Sequence, residues 1–570
     1  MPLRLARPIL ALTLAAFTLP ALAQDKPSGE DAGAYLAARV AATENDYAEA
    51  AAWYDRLLQS APNDPALLEG AVISNMGLGD VAKAAGFADR LAKAGGTSQV
   101  AWTATIAEKA QKGDFKGIID DQKAGRTAGK LLDGLVTAWA ALGNGDMTDA
   151  LAGFDALSKT QGLEAFGLYH KALALASAGD FEGADDILSG KDSGPIAVMR
   201  RGVIAHVQIL SQLERNPDAI ALLDRNFGTE ADPQIDALRT RLKAGEVLPF
   251  DIVTNAKDGI AEVFFTLAAA LRGEADDGFT LLYTRITAYL QPGHGEALLL
   301  SAALLESLGQ PALAEETYAL IPADSPSYHI AEIGRADTLF AQDKSDAAIE
   351  VLQSLARTHG NLVAVQTALG DALRREERFK EAIPAYDAAI GLIGKPERRH
   401  WGLFYARGIS HERSGDFKTF ESDLRRALEL EPDQPQVLNY LGYSFVDRGE
   451  NLDEAMKMIQ TAVAKQPDAG YIIDSLAWAY FRLGKYEEAV EPMEKASLLE
   501  PVDPIVTDHL GDVYWAVGRQ REAQFQWRRA LSFDPEEKDA TRIRAKLEKG
   551  LDAVLAAEGA KPLTDVADGN

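Results

Sequence analysis

Leu476, Tyr480, Gly484, Ala489, Ala496 and Pro501 return as Leu510, Tyr514, Gly518, Ala523, Ala530 and Pro535, every interval being 34 residues. A period of 34 with small residues at fixed slots is that of a unit built from two antiparallel helices. In residues 471–501 the first helix, A, carries Leu476, Ala477 and Tyr480 toward its sister. Gly484 ends it, since a helix commonly stops on a left-handed residue and glycine adopts that conformation without penalty. The second helix, B, turns Ala489, Met493 and Ala496 inward, four and three apart, and Pro501 closes it. Alanine at 477, 489 and 496 lets the two helices approach closely. One unit cannot bury its own apolar stripe, so units must stack.

The same phase runs backward. Gly408, Gly415, Leu424, Ala427 and Pro432 make one unit, and Leu441, Gly442, Phe445, Gly449, Ala455, Ile459, Ala462 and Pro467 the next, with one extra residue in the turn Arg448–Asp453. Gly370, Ala382, Tyr386 and Ala389 mark another. The N-terminal half fits more loosely, through Ala38, Ala50, Tyr54 and Pro62, then Gly79, Ala84 and Ala88, then Gly145, Ala150 and Phe154, then Gly179, Ala184 and Leu188. The pattern resembles the tetratricopeptide repeat (TPR). It predicts an all-α, right-handed TPR superhelix, an α-solenoid of roughly 13–14 helix pairs, degenerate in its N-terminal half. Residues 216–258 fit worst, with Pro217, Pro233 and Pro249 and a run Val247–Val253 that has no helical period. They read as a break or hinge. The expected organisation is therefore a signal peptide at 1–23, a degenerate solenoid at 24–245, a regular one at 246–540, and a C-terminal helix with a polar tail at 541–570.

Arg4 and Arg7 precede an apolar run from Ile9 to Leu22 that ends in Ala21-Leu22-Ala23. A basic start, a short apolar core and an A-x-A site are the marks of a cleavable Sec signal peptide, with cleavage expected after Ala23. An uncleaved anchor is the alternative, but the run is short for a membrane helix and contains Pro20. No other segment reaches the ~20 apolar residues a bilayer needs, so no transmembrane segment is expected in the mature chain. The sequence has no cysteine, which excludes disulfides, thiolate metal sites and lipidation of a first mature cysteine. Periplasmic residence is the expectation. Net charge is −27, and loss of Arg4 and Arg7 with the leader makes it more negative still. Such a chain is a poor ligand for phosphate backbones, so no nucleic acid is expected as partner. An acidic surface favours basic partners or serves solubility.

Chemistry is hard to find. The eight histidines (His170, His206, His294, His329, His359, His400, His411 and His509) form no H-E-x-x-H. No G-x-S-x-G occurs. Gly125–Lys130 approaches a phosphate loop, but its second glycine comes one position early and Leu131 replaces the Ser or Thr. Gly77–Ala82 matches G-x-G-x-x-A by letter, at a turn between helices. No catalytic residue, metal site or cofactor is expected.

Binding is expected on the A helices, whose residues away from the sister helix line the inner face of a solenoid. In the best units that register selects Tyr405, Asn439, Asp474 and Asp508 as one series, Ile409, Tyr443, Trp478 and Asp512 as a second, and Glu412, Val446, Phe481 and Trp515 as a third. Tyr471 and Arg482 flank them. The aromatic members, Tyr443, Trp478, Phe481 and Trp515, suit an interface rich in Trp and Tyr. Asp474, Asp508 and Asp512 beside Arg482 would form its polar rim. The same rings would otherwise pack against the next A helix. Tyr480, Tyr514 and Trp527 take core slots.

Two longer stretches carry a finer resemblance. One runs Leu438–Ser444, Tyr471–Trp478, Tyr480–Gly484 and His509–Trp515 to Gly518; the other runs Gly259–Phe265 and on to Tyr318, Ile321 and Ser325-Pro326. Together they resemble exported bacterial TPR proteins, best known as adaptors that bind a periplasmic carboxyl-terminal processing protease and deliver cell-wall hydrolases to it. The resemblance implies a scaffold whose partners are such a protease and its substrates. Those adaptors are lipoproteins, whereas this chain has no cysteine to lipidate. A structural part of an envelope assembly or of a polysaccharide or protein export system is the other reading.

Overall fold

The computed structural model describes residues 29–191, 194, 196, 198–228, 232–560 and 562–563. The expected signal peptide and the end of the polar tail lie outside them. Regular structure among the described residues is helical throughout. The helices are α1 (Gly29–Thr43), α2 (Tyr47–Ser60), α3 (Pro65–Leu78), α4 (Val81–Lys93), α5 (Gln99–Gln111), α6 (Phe115–Lys123), α7 (Lys130–Gly143), α8 (Met147–Ser158), α9 (Glu164–Ser177), α10 (Phe181–Leu188), α11 (Arg200–Gln212), α12 (Asn216–Phe227), α13 (Pro233–Lys243), α14 (Ala256–Leu271), α15 (Asp277–Leu290), α16 (Gly295–Ser307) and α17 (Pro311–Tyr318). There follow α18 (Tyr328–Ala341), α19 (Ser345–His359), α20 (Val363–Arg375), α21 (Phe379–Leu392), α22 (Trp401–Arg413), α23 (Phe417–Leu430), α24 (Pro435–Arg448), α25 (Leu452–Lys465), α26 (Gly470–Arg482), α27 (Tyr486–Leu499), α28 (Pro504–Ala516), α29 (Gln520–Leu531), α30 (Glu537–Lys549) and α31 (Leu551–Ala557). They form two compact units, Met1–Tyr328 and His329–Asn570. The division falls well beyond the boundary expected at 245.

Within each unit neighbouring helices pack as sister pairs, such as α3 with α4 and α7 with α8 in unit 1 and α26 with α27 and α28 with α29 in unit 2. The repeat residues explain how. Ala477, Ala489, Met493, Ala496, Ala523, Trp527 and Ala530 are wholly buried. The slot of Ala477 is glycine in neighbouring pairs because the sister helix leaves no room. A Cβ on Gly511 would lie 2.4 Å from the Trp527 ring, and one on Gly408 2.4 Å from Leu424. Gly484 takes a left-handed φ of 74° after α26, as its place in the repeat requires.

Unit 1 departs from a plain array. The hairpin α14–α15 lies against the first helices of earlier pairs, α3, α5, α7 and α9. Gly259 of α14 faces Trp139 of α7, where a Cβ would come within 2.2 Å of the indole. Tyr169 of α9 donates to Glu262 of α14 at 2.8 Å, and Arg201 of α11 donates to the same carboxylate at 2.6 Å. Burial alone would raise the Glu262 pKa, but the Arg201 charge and His294 outweigh it and hold it at about 2. Arg285 of α15 donates to the Gly77 carbonyl of α3 at 3.1 Å, and Tyr289 to Glu108 of α5 at 2.6 Å. The inner face of unit 1 is thus filled by its own chain.

Residues 216–258 are not a free hinge. Pro217 and Pro233 sit in the first turns of α12 and α13, where their missing N–H costs nothing. The run Val247–Val253 is an extended strap tied along α11. Leu248 N–H donates to Ser211 Oγ at 2.9 Å, Gln208 and Asp251 exchange two bonds at 2.6 and 3.1 Å, and Arg201 donates to the Ile252 carbonyl at 3.0 Å. Leu248, Ile252 and Val253 are buried. The strap delivers the chain to the start of α14.

Candidate functional site

In unit 2 the first helices of the pairs are α18, α20, α22, α24, α26, α28 and α30, and the sequence-selected residues lie on α22 to α28. The structure sorts them into two groups. Tyr471 is 45% exposed, Arg482 is exposed, and Tyr405, Tyr443 and Trp515 are half-buried. Asn439, Asp474, Trp478, Phe481, Asp508 and Asp512 are buried.

The second group corrects the expected aromatic surface and polar rim. Trp478 stacks on His509 of the next helix, ring centres 3.9 Å apart, and on Phe481 at 4.8 Å. Phe481 packs on Tyr486, whose hydroxyl donates to the Leu563 carbonyl at 3.0 Å. These rings hold neighbouring helices together, so replacing Trp478 and Phe481 by Ala should dismantle core. Trp515 donates its Nε1–H to Asp552 of α31 at 2.7 Å.

The three aspartates are interior too. Lys546 of α30, fully buried, donates to both oxygens of Asp508 at 2.8 and 2.7 Å and of Asp512 at 2.7 and 2.8 Å. Trp527 Nε1–H donates to Asp512 at 2.9 Å, and Arg542 lies 3.4 Å from Asp512. Burial, then the Asp512 charge, pushes the Asp508 pKa up to about 6. Asp474 faces His509 at 3.0 Å. Burial opposes charging of that ring, but Asp474, with Asp508 and Asp512, outweighs it and holds the His509 pKa above its ordinary value. This ionic core fastens α30 to α28. It left no mark in the repeat, because α30 lacks the repeat residues and reads as tail.

What remains accessible is the face from α18 to α26. Arg482 reaches back to Asp447, Nη1 to Oδ1 at 3.2 Å and Nη2 to the carbonyl at 3.0 Å. Tyr405 packs edge-on to Tyr440 at 5.9 Å; burial, then nearby Tyr471, pushes its pKa up to about 12. Asn439 Oδ1 and Trp478 Nε1 have no hydrogen-bond partner among the described residues. Farther along, α18 and α20 are parted by a cavity of about 770 Å³ lined by Ile333, Asp337, Phe340, Ala368, Asp371 and Arg375. Arg375 lies over the Phe340 ring at 4.5 Å. The repeat register does not mark this cavity. The available signal was Ala364, Ala368 and Ala372, small residues four apart on one face.

No cluster of three or more His, Asp or Glu side chains is placed to hold a metal among the described residues, and no described helix is long and apolar enough to cross a membrane. Gly79, within the G-x-G-x-x-A match, is the left-handed cap between α3 and α4, with φ 89°.

A tetratricopeptide repeat model matches residues 14–65, 333–396 and 405–470, and a second matches 473–503. A TPR repeat-containing protein of Pseudomonas aeruginosa, PA4667, is 32% identical over 168 residues, 29% of this chain. The chain spans 28% of the length of that relative. Among solved structures, the APC/C hetero-tetramer Cut9-Hcn1 aligns at 15% identity over 92% of this chain and 97% of the other, with a TM-score of 0.38. A tetratricopeptide repeat protein from Parabacteroides merdae aligns at 19% identity over 45% of this chain and 97% of the other, also with a TM-score of 0.38. The matched segments carry tetratricopeptide repeats, and such repeats are protein-binding scaffolds.

Proposed function

We propose that this TPR chain is a non-catalytic periplasmic scaffold that binds proteins through the first-helix face of unit 2 and delivers envelope or cell-wall hydrolase substrates to a processing protease. The observation that carries the binding surface is the contrast in cover. In unit 1 the equivalent face is filled by α14–α15. In unit 2 the face from α18 to α26 keeps Tyr471 45% exposed, Tyr405 and Tyr443 half-exposed, and the cavity beside Phe340 open. Aromatic residues that a fold leaves partly bare are the residue class on which interfaces concentrate their energy. Periplasmic residence rests on the leader from Arg4 to Ala23, and the adaptor role on the resemblance of residues 438–518 to exported adaptors.

Site-specific photocross-linking tests the reading. A benzophenone side chain is placed at Tyr471, with a control at Phe525 of α29, itself 64% exposed. The expected result is adducts with a processing protease and wall hydrolases from Tyr471 only. Adducts from Phe525 alone would move the interface to the second helices. Adducts with secretion-machine components would replace the adaptor by the export reading.

A further inference from the structure

We propose that a cavity beside Trp102 in unit 1 binds a carboxylate attached to a small apolar group. The site lies on the loops joining pairs and owes nothing to the first-helix face of unit 2.

The cavity exists because α6 is short. It has nine residues against 13 in α4 and 12 in α8, and Ile118 is its one buried residue. After Lys123 the loop Ala124–Thr127 runs opposite Trp102 and the glycine-rich loop Gly95–Ser98 where a further helical turn would otherwise pack. The space between them is about 490 Å³, with Ala88, Leu91, Ala92 and Ala101 as apolar wall. That is the size of a small-ligand pocket.

Its one charge is positive. Arg126 is the sole charged residue among the described residues lining it, and none is acidic, in a chain with 85 Asp and Glu. Arg126 Nη1 sits 3.3 Å from Asp121, and Lys109 neutralises the same carboxylate more closely. A guanidinium has five N–H donors, and this pairing engages one nitrogen. The guanidinium also lies 5.8 Å from the centre of the Trp102 ring. Trp102 is 5% exposed, yet its Nε1–H has no hydrogen-bond partner among the described residues. A buried donor left in that state is a standing cost that a ligand oxygen relieves. The first turn of α5, its Ala101 N–H capped by Ser98 Oγ at 3.3 Å, adds a favourable dipole, and Thr97 lies at the rim. A carboxylate accepts from Arg126 and Trp102, and its apolar substituent rests on the alanine and leucine wall.

The test uses the full chain with its seven tryptophans replaced biosynthetically by 5-fluorotryptophan and followed by ¹⁹F NMR, with Trp102→Phe assigning the signal. N-acetyl-leucine is titrated against N-acetyl-leucinamide. The expected result is a saturable shift of the Trp102 signal alone, at least tenfold weaker for the amide. Arg126→Gln should lose the same tenfold without changing the thermal midpoint. Hexanoate and acetyl-Ala-Leu then separate the sources: tighter binding of the peptide assigns the site to a protein chain end, equal binding to a free acid. No Trp102 shift, equal affinity for acid and amide, or unchanged binding in Arg126→Gln would each overturn the proposal.

Discussion

Units 1 and 2 use the same helix pairs and dispose of the inner face in opposite ways. In unit 1, α11 buries every residue from Gly202 to Ser211 and α14 every residue from Asp258 to Ala268. In unit 2, α20 buries only Val365, Gly370, Ala372 and Leu373. A helix buried all round belongs to a core, and one buried on a stripe belongs to a surface. The repeat therefore fixes how neighbours stack without fixing whether their shared face meets solvent. That depends on whether the chain supplies a filler. Unit 1 has α14–α15, whereas unit 2 closes only its last pairs, with α30 and α31.

The strongest way to break the contrast is Trp139→Ala. It removes the ring against which Gly259 packs and leaves His170 Nδ1 without the donor it now accepts from at 3.1 Å. Unit 1 should lose about 4 kcal/mol. Hydrogen exchange should rise through α7, α9 and α14 while unit 2 stays protected. Equal loosening of both units would mean that the filler is not specific to unit 1.

Lys546→Met is next. It leaves Asp508 and Asp512 buried without their shared cation, at a cost of about 3 kcal/mol. Exchange should increase in α30 and α31 and Trp515 should become more accessible, with α18–α26 unchanged. An unaltered α30 would show that the ionic core is dispensable.

The smallest effect separates the units by sign. Burial holds the His170 pKa at about 4 against 6.5, so on acidification an unfolded unit 1 takes up a proton that the folded one refuses. His206 and His294 are also lowered, chiefly by burial. From pH 7 to 5, His170 alone should cost unit 1 about 2 kcal/mol. Asp508 is the reverse case, raised from 3.8 to about 6, so folded unit 2 keeps a proton that the unfolded chain releases. That contribution is full below pH 3.8 and is lost as pH rises through 6. At pH 5 unit 2 should gain about 1 kcal/mol from it. Rate-corrected exchange at the two pH values should therefore fall in protection for α9 and rise for α28. Movement in the same direction would refute the assignment.

The repeat was legible because its signals are local. Glycine at 484 and alanine at 489 and 496 answer to the sister helix a few residues away. The site was less so. Register assigned Asp508 and Asp512 to an open face, and their partner Lys546 lies 38 and 34 residues on, in a helix without repeat residues. Register leaves Trp478 open between the inner face and packing on the next first helix, because His509, on which it stacks, belongs to the next pair. The filler did leave a sign in the sequence. Gly259–Ala268 has Glu262 as its sole charge and offers no polar face for solvent. Pro217 and Pro233 suggested a break because proline starts helices as readily as it ends them.

The hairpin α14–α15 also sets an order of events. Arg285 meets Gly77 across 208 residues and Tyr289 meets Glu108 across 181, so α3 to α9 stand as an apolar trough until the chain near residue 290 is free to enter it. Such distant pairings must be paid for in loop entropy before they reward the chain, which makes them slow. Unit 2 can zip pair by pair from near neighbours. The N-terminal half, first to be made, is thus the last to finish, and a chaperone that guards this protein would spend its time on α3 to α9.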